Sequence, residues 1–310
     1  MKIIFFGLGS IGQRHANILL KDYTHDLYAF RSSAKSKPNE LGIKELYSWD
    51  ELEKLKPDVA FITNPTSLHI ETAIKCAEFG CKLFIEKPIG SSLKDFEKLK
   101  KIVKSKKIVT YIAYNLRFHP IILKLKKNIE NKKILHARVV CTSYLPTWRP
   151  DRDFLKGYSA NTNMGGGVIL DLSHELDYIS YLLGDINKMT GTYSKRSNVT
   201  VDAEDFVDYL LETKTTPVNI HINFLSQLRQ RYIQIDFDQL TIIADLIDSE
   251  IREYKNDILH KTEKVDYQKG QEYSDQIKYF LDNIDNPSMM NNLSEASGLF
   301  EKITAFKNHE

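Results

Sequence analysis

Five stretches of the 310-residue chain carry side chains whose types and spacing could do chemistry. "GLGSIG" places Gly7, Gly9 and Gly12 in a G-x-G-x-x-G spacing directly after the apolar run "KIIFF". In such a turn the first glycine permits a sharp bend, the second lets the backbone approach a pyrophosphate, and the third lets the following helix pack on the strand. A helix opening at Ser10 and Ile11 would offer N–H groups and a positive dipole end to phosphates. The spacing alone is weak, because glycine turns after strands also arise for steric reasons. A second stretch, "AFRSS", sits about 20 residues on, where a carboxylate would bind the ribose 2'-hydroxyl of NAD. Arg31 and Ser32, followed by Ser33, stand there instead. A guanidinium and hydroxyls pair with a 2'-phosphate, so NADP is preferred over NAD, with a solvated loop arginine as the plain alternative.

In "DLSHELD", Asp171, His174 and Asp177 recur at intervals of three, which predicts one helical face bearing an imidazole beside a carboxylate that orients it. Around them, "AYNLRFHP" provides Tyr114, Asn115, Arg117 and His119, and "YLPTWRPDRDF" provides Trp148, Arg149 and Arg152. The arginines fit carboxylate or phosphate groups of a substrate, with Trp148 as an apolar wall; each arginine would serve equally in an ion pair. No His, Cys, Asp and Glu set has metal-ligand spacing, and no metal is expected.

These residues need elements to position them. "KIIFF", "DLYAF", "DVAFIT", "KLFIE" and "IVTYIAY" read as buried strands, and the longer runs between them carry apolar residues at three- and four-residue intervals, as helices do. That alternation predicts an α/β domain over residues 1–118, a doubly wound parallel sheet of the Rossmann type. Residues 119–310 read as an α+β domain. "LHARVVCTSYL", "DFVDYLLET", "PVNIHINFL", "RYIQIDF" and "LTIIADL" predict a mostly antiparallel open sheet, with helices at "DLSHELDYISYLLG", "YSDQIKYFLDNI" and "LSEASGLFEKITAFK".

Composition narrows the partners. With 43 basic against 41 acidic residues, the net charge of +2 gives no electrostatic reason to expect nucleic acid or a membrane surface. No apolar run approaches the roughly 20 residues of a membrane span. The three cysteines, Cys76, Cys81 and Cys141, read as buried thiols in a reducing compartment, so a soluble cytoplasmic protein is expected.

Together with the opening glycines, the ordered set "TNPTSLH", "EKP" and "GGGVILDLSHELD" resembles the Gfo/Idh/MocA family of NAD(P)-dependent oxidoreductases, from Lys2 to about Gly184. The resemblance implies that Thr63, Asn64, Pro65 and His69 border the cofactor. It implies that Glu86 and Lys87 of Glu-Lys-Pro lie at it as well, with Lys87 also reaching the substrate hydroxyl. His174 is then the general acid/base and lines the substrate, with Asp171 as its carboxylate partner. Many members space that aspartate four residues before the histidine, whereas here the spacing is three. Gly165, Gly166 and Gly167 would allow close approach to a ligand or serve a helix lead-in. The implied activity is interconversion of a secondary alcohol and a ketone on a sugar or sugar derivative. A nucleotide-activated sugar or sugar acid of cell-surface glycan synthesis is the expected class, and a homodimer or homotetramer the expected assembly. A non-catalytic sensor or regulator of the same fold, and another redox chemistry such as double-bond reduction, are the alternatives.

Overall fold

The protein is described from a computed structural model that covers residues 1–33, 37–148 and 153–308. The first sheet gathers β1 (Lys2–Phe6), β2 (Asp26–Phe30), β3 (Lys44–Leu46), β4 (Val59–Ile62), β5 (Lys82–Ile85) and β6 (Thr110–Ile112). All pairs are parallel, in the order β3-β2-β1-β4-β5-β6. This is the doubly wound order in which the chain reverses direction between β1 and β4, and ligands bind outside the carboxyl ends of the strands at that switch point. Helices α1 (Ser10–Asp22), α2 (Trp49–Leu55), α3 (His69–Glu78) and α4 (Phe96–Lys106) make the connections. In α1 the buried residues Gly12, His15, Ala16 and Leu19 follow the three-and-four spacing of a single apolar face.

Both faces of this sheet are covered, which is why its strands are continuous apolar runs. On one face Phe5, Phe61, Phe84 and Tyr111 stand in register on β1, β4, β5 and β6. Their rings form a ladder, with centroids 4.9 Å apart for Phe5 and Phe61, 4.3 Å for Phe61 and Phe84, and 5.3 Å for Phe84 and Tyr111. Phe280 of helix α8 (Gln271–Asp282) meets Phe84 edge-on at 5.3 Å. On the other face, Phe96 of α4 meets Phe300 of helix α9 (Leu293–Asn308) at 4.9 Å. Asn291 closes the edge of β6, donating from Nδ2 to the Ile112 carbonyl at 2.7 Å and accepting at its own carbonyl from the Ile112 N–H at 2.8 Å.

These contacts explain the division of the chain. One compact unit holds Met1–Tyr114 with Tyr273–Glu301, and the other holds Asn115–Glu272 with the chain from Lys302 on. The sequence places 119–310 in a second domain; the structure returns 273–301 to the first unit, because α8 and most of α9 cover its sheet.

The second unit is built on an eight-stranded sheet of order β14-β13-β12-β11-β7-β10-β9-β8. Its strands are β7 (His136–Tyr144), β8 (Ile186–Ser194), β9 (Phe206–Thr213), β10 (Pro217–Asn223), β11 (Leu225–Phe237), β12 (Leu240–Asp245), β13 (Glu250–Lys255) and β14 (Ile258–Lys264). Every pairing is antiparallel except β7 with β10. Along β10, Val218, Ile220 and Ile222 are buried while Asn219 is exposed, the alternation of a sheet with one packed face. Helix α5 (Pro120–Ile129) packs on β12 and β13 through a buried face of Ile121, Ile122, Leu125 and Ile129. Helix α6 (Val168–Asp171) packs on β9, and α7 (His174–Leu183) follows it. All three cysteines are buried and unpaired, and burial pushes each thiol up, Cys81 to about 12. No helix among the described residues is long and apolar enough to cross a membrane.

His119 caps α5: its Nδ1 accepts the Ile121 N–H at 3.2 Å, and its ring lies 4.4 Å from that of Tyr267. Burial, with the Arg231 charge close by, pushes this imidazole down to about 4 from 6.5.

Two outcomes follow from this packing. Phe84→Ala opens a cavity in the ring ladder and should cost about 3–5 kcal/mol in urea unfolding, where a loss below about 1 kcal/mol would contradict the ladder's importance. The depressed His119 makes its contribution to stability full above pH 6.5, and that contribution fades as pH falls toward 4, because the unfolded chain takes up the proton first. Between pH 7 and 5 the wild type should therefore lose about 2 kcal/mol more stability than His119→Asn, which keeps a capping acceptor. Equal losses would show that the imidazole is not held neutral.

Candidate functional site

The turn after β1 sits at the switch point of the first sheet, and three glycines there meet three different demands. Gly7 has φ +100°, and a Cβ on it would lie 2.8 Å from the Asn64 backbone. A Cβ on Gly12 would lie 2.1 Å from the Gly7 carbonyl oxygen and 2.8 Å from Thr63 Oγ1. Gly9 is different, since a Cβ there would meet nothing within 4 Å. Its backbone faces open space at the start of α1, whose first turn holds no acidic residue. Two glycines are thus required by the protein's own packing, and the third leaves room for a diphosphate beside the positive end of a helix. That arrangement fits a dinucleotide.

The loops after β4 and β5 are bound to this turn. Thr63 Oγ1 donates to the Gly7 carbonyl at 2.6 Å, and Asn64 Nδ2 donates to Thr72 Oγ1 at 2.9 Å. Pro65 precedes a short 3-10 turn, Thr66–Leu68, that leads into α3. His69, expected at the cofactor, is buried, with Nδ1 2.9 Å from the Pro88 carbonyl and Nε2 2.9 Å from the Asn64 carbonyl. It therefore ties the loop after β4 to the loop after β5, and burial lowers its pKa. Glu86 is likewise turned inward. Its Oε1 lies 2.6 Å from His15 Nε2, and its Oε2 accepts the Lys87 N–H at 3.2 Å. Both residues tie these loops together from within. His15 is the residue that sequence reading passed over; it lies three positions after Gly12, on the buried face of α1. Lys87 itself is half-buried, and the Lys87–Pro88 peptide is cis.

At the end of β2, Arg31 is engaged with protein: Nη1 donates to Glu45 Oε1 at 3.0 Å and Nη2 to the Lys37 carbonyl at 2.9 Å. Ser32 beside it is exposed.

In the second unit the predicted single helical face of Asp171, His174 and Asp177 is broken. Asp171 ends α6, the chain kinks at Leu172 and Ser173, and His174 begins α7. Asp171 Oδ2 accepts the Ser159 hydroxyl at 2.5 Å. The glycines before α6 answer to the protein: a Cβ on Gly166 would lie 2.1 Å from the Tyr158 carbonyl, and one on Gly167 2.3 Å from the Glu204 carboxylate. His174 is half-buried, and the residues after it are held from two sides. Arg231 of β11 donates from Nε to Glu175 Oε1 at 2.8 Å, and the two side chains form an ion pair. Arg117 grips Asp177 with Nε and Nη2 at 3.0 and 2.8 Å. Arg117 and Asp177 are both buried and form an internal ion pair.

Tyr114 is buried at the end of the first unit's main segment, and Asn115 is buried in the second unit, its Nδ2 3.4 Å from Glu272 Oε1. Trp148 is exposed and donates from Nε1 to Ser143 Oγ at 2.9 Å. Arg149 and Arg152 lie outside the described residues.

Comparison with known proteins agrees with this architecture. Residues 1–114 match the oxidoreductase family GFO/IDH/MocA, NAD-binding Rossmann fold, and residues 122–243 match the GFO/IDH/MocA C-terminal domain. The chain is 27% identical to myo-inositol 2-dehydrogenase of Thermotoga maritima over 60% of its own length and 55% of that protein's. It thus spans about half the length of the curated relatives it matches. Levoglucosan dehydrogenase in complex with NADH superposes with a TM-score of 0.85 at 16% identity, covering 99% of this chain and 96% of the other. UDP-N-acetylglucosamine 3-dehydrogenase from Acidithiobacillus ferrooxidans does so with a TM-score of 0.75 at 20% identity, covering 99% and 98%. Two domains of one family, in order along the chain and over sheets of the matching architecture, make this protein a member of the Gfo/Idh/MocA oxidoreductases.

Proposed function

We propose that the protein is an NAD(P)-dependent oxidoreductase that interconverts a secondary alcohol and a ketone on a sugar or sugar derivative. The observation that carries this reading is the glycine turn, in which Gly7 and Gly12 are packed against protein while Gly9 faces open space at the switch point. Gly7, Gly9, Ser10, Ile11 and Gly12 hold the diphosphate in this reading, with Thr63, Asn64 and Pro65 beside it. When bound, the nicotinamide supplies the acceptor or donor of the hydride. The chain's own work is to position the carbinol and move its proton. On oxidation the hydroxyl proton passes to the His174 imidazole as hydride leaves the carbon, and on reduction the same proton returns. Lys87 assists at that hydroxyl, and Asp171, held by Ser159, is the carboxylate near the start of α7. Tyr114, Asn115 and Trp148 are the remaining candidates for contact with substrate.

For the finer points, Arg31 and Ser32 at the end of β2 support NADP as the preferred cofactor. A nucleotide-activated sugar or sugar acid is the substrate class favoured, since arginines at positions 149 and 152 suit an anionic group. Exposed Leu210 and Asn219, opposite one another on β9 and β10, mark the sheet face through which a second copy would bind in a homodimer or homotetramer.

A screen of polyols, sugars and nucleotide sugars, followed by nicotinamide absorbance, should find turnover with NADP or NAD. His174→Ala should then lower kcat by roughly 10²–10⁴ while dinucleotide affinity stays within about twofold. Absence of turnover across the screen, or wild-type kcat in the variant, would overturn the reading.

A further inference from the structure

Arg31 does not stand alone at the end of β2. Glu45 lies on β3, the strand beside it, and every oxygen of its carboxylate is occupied. Oε1 accepts from Arg31 Nη1 at 3.0 Å, from the Asn39 N–H at 2.9 Å and from Asn39 Nδ2 at 2.8 Å. Oε2 accepts the Tyr47 hydroxyl at 2.6 Å. Asn39 in turn organises the loop into β3, its Oδ1 accepting the N–H groups of Leu41 and Ile43. The Tyr47 hydroxyl and the Asn39 amide, with Arg31 adding to them, hold the Glu45 carboxyl down at about 2. Glu45 is therefore a fixed anion at any ordinary pH, and its side chain is only 10% exposed.

A 2'-phosphate at this place is attracted by the guanidinium and repelled by the carboxylate behind it, so charge on one side chain offsets charge on the other. A ribose 2'-hydroxyl carries no charge and is nearly indifferent to both. Among the described residues, two of the five guanidinium N–H donors are used, by Glu45 and the Lys37 carbonyl. We propose that Glu45 determines cofactor specificity: paired with Arg31, it withholds part of the guanidinium's charge from the 2'-phosphate of NADP and keeps the site open to NAD. This deepens the functional reading above and rests on it, since it requires the adenosine ribose to lie at the end of β2.

The test uses the full chain and equilibrium binding of NADPH and NADH, read by nicotinamide fluorescence rather than turnover. Glu45→Gln keeps the size and most of the hydrogen-bonding capacity but removes the charge. It should tighten NADPH about tenfold while NADH changes by less than about twofold. Arg31→Ala should weaken NADPH, and removing the Glu45 charge in that background should recover part of the loss, because the carboxylate otherwise faces the 2'-phosphate unpaired. A NADPH-to-NADH affinity ratio in Glu45→Gln equal to that of the wild type would overturn the proposal. If Glu45→Gln does not fold, Glu45→Asp is read on the same ratio: drawing the carboxylate back by one methylene should shift it several-fold toward NADPH, and no shift would overturn the proposal. A wild-type chain that binds neither dinucleotide would overturn the functional reading itself. One that binds both, with variants of unchanged ratio, would overturn only the role of Glu45.

Discussion

The first unit depends on how closely α1 approaches the ends of β1 and β4. At Gly12 the gap is too small for a single methyl group, which would sit 2.1 Å from the Gly7 carbonyl oxygen. That proximity puts the start of α1 directly over the switch point, where the Thr63 hydroxyl bridges back to Gly7. One turn further along the same face, His15 is carried down to Glu86, the residue before Lys87. A single steric constraint thus aligns the glycine turn with the loop that bears the candidate lysine. The aromatic ladder beneath, completed by Phe280 from a distant part of the chain, gives the strands a rigid base for these loops.

In the second unit, orientation comes from charge. Arg117 and Arg231 pair with Asp177 and Glu175, and both acids are almost wholly buried on the helix that His174 begins. Buried ion pairs are poor sources of net stability, because desolvation offsets much of their attraction, but breaking one leaves an uncompensated charge at a cost of about 3–5 kcal/mol. Such pairs fix the rotation and position of a helix, and two of them hold the first turn of the helix that the candidate acid/base begins. The sugar-facing chemistry proposed for His174 needs that kind of fixed presentation.

Much of this was legible in the sequence for physical reasons. Buried parallel strands require continuous apolar runs, and a close helix–strand turn requires glycine, so β1, β2, β4, β5 and the turn at Gly7 announced themselves. The three-residue β3 could not, having too few residues to show a period. Helix α2 could have been found from Ser48 and Glu51, which form a capping box before a short amphipathic run. Strands β8 and β14 are largely exposed and polar, so no apolar alternation marked them. The least legible features were the long-range ones. Nothing local says that Arg117 meets a carboxylate 60 residues away, that Glu45 meets Arg31, or that α8 folds back onto the first sheet. The kink after Asp171 is similar, because intervals of three fit one helix as well as two short ones.

In the function proposed, the close approach at Gly12 builds a dinucleotide site. Its most direct test is the affinity of Gly12→Ala for NADH and NADPH, measured by fluorescence titration alongside circular dichroism to follow the fold. At least about a tenfold loss for both dinucleotides is expected with secondary structure retained, since the added Cβ must push α1 away from the turn. Wild-type affinity for both in a folded variant would contradict it.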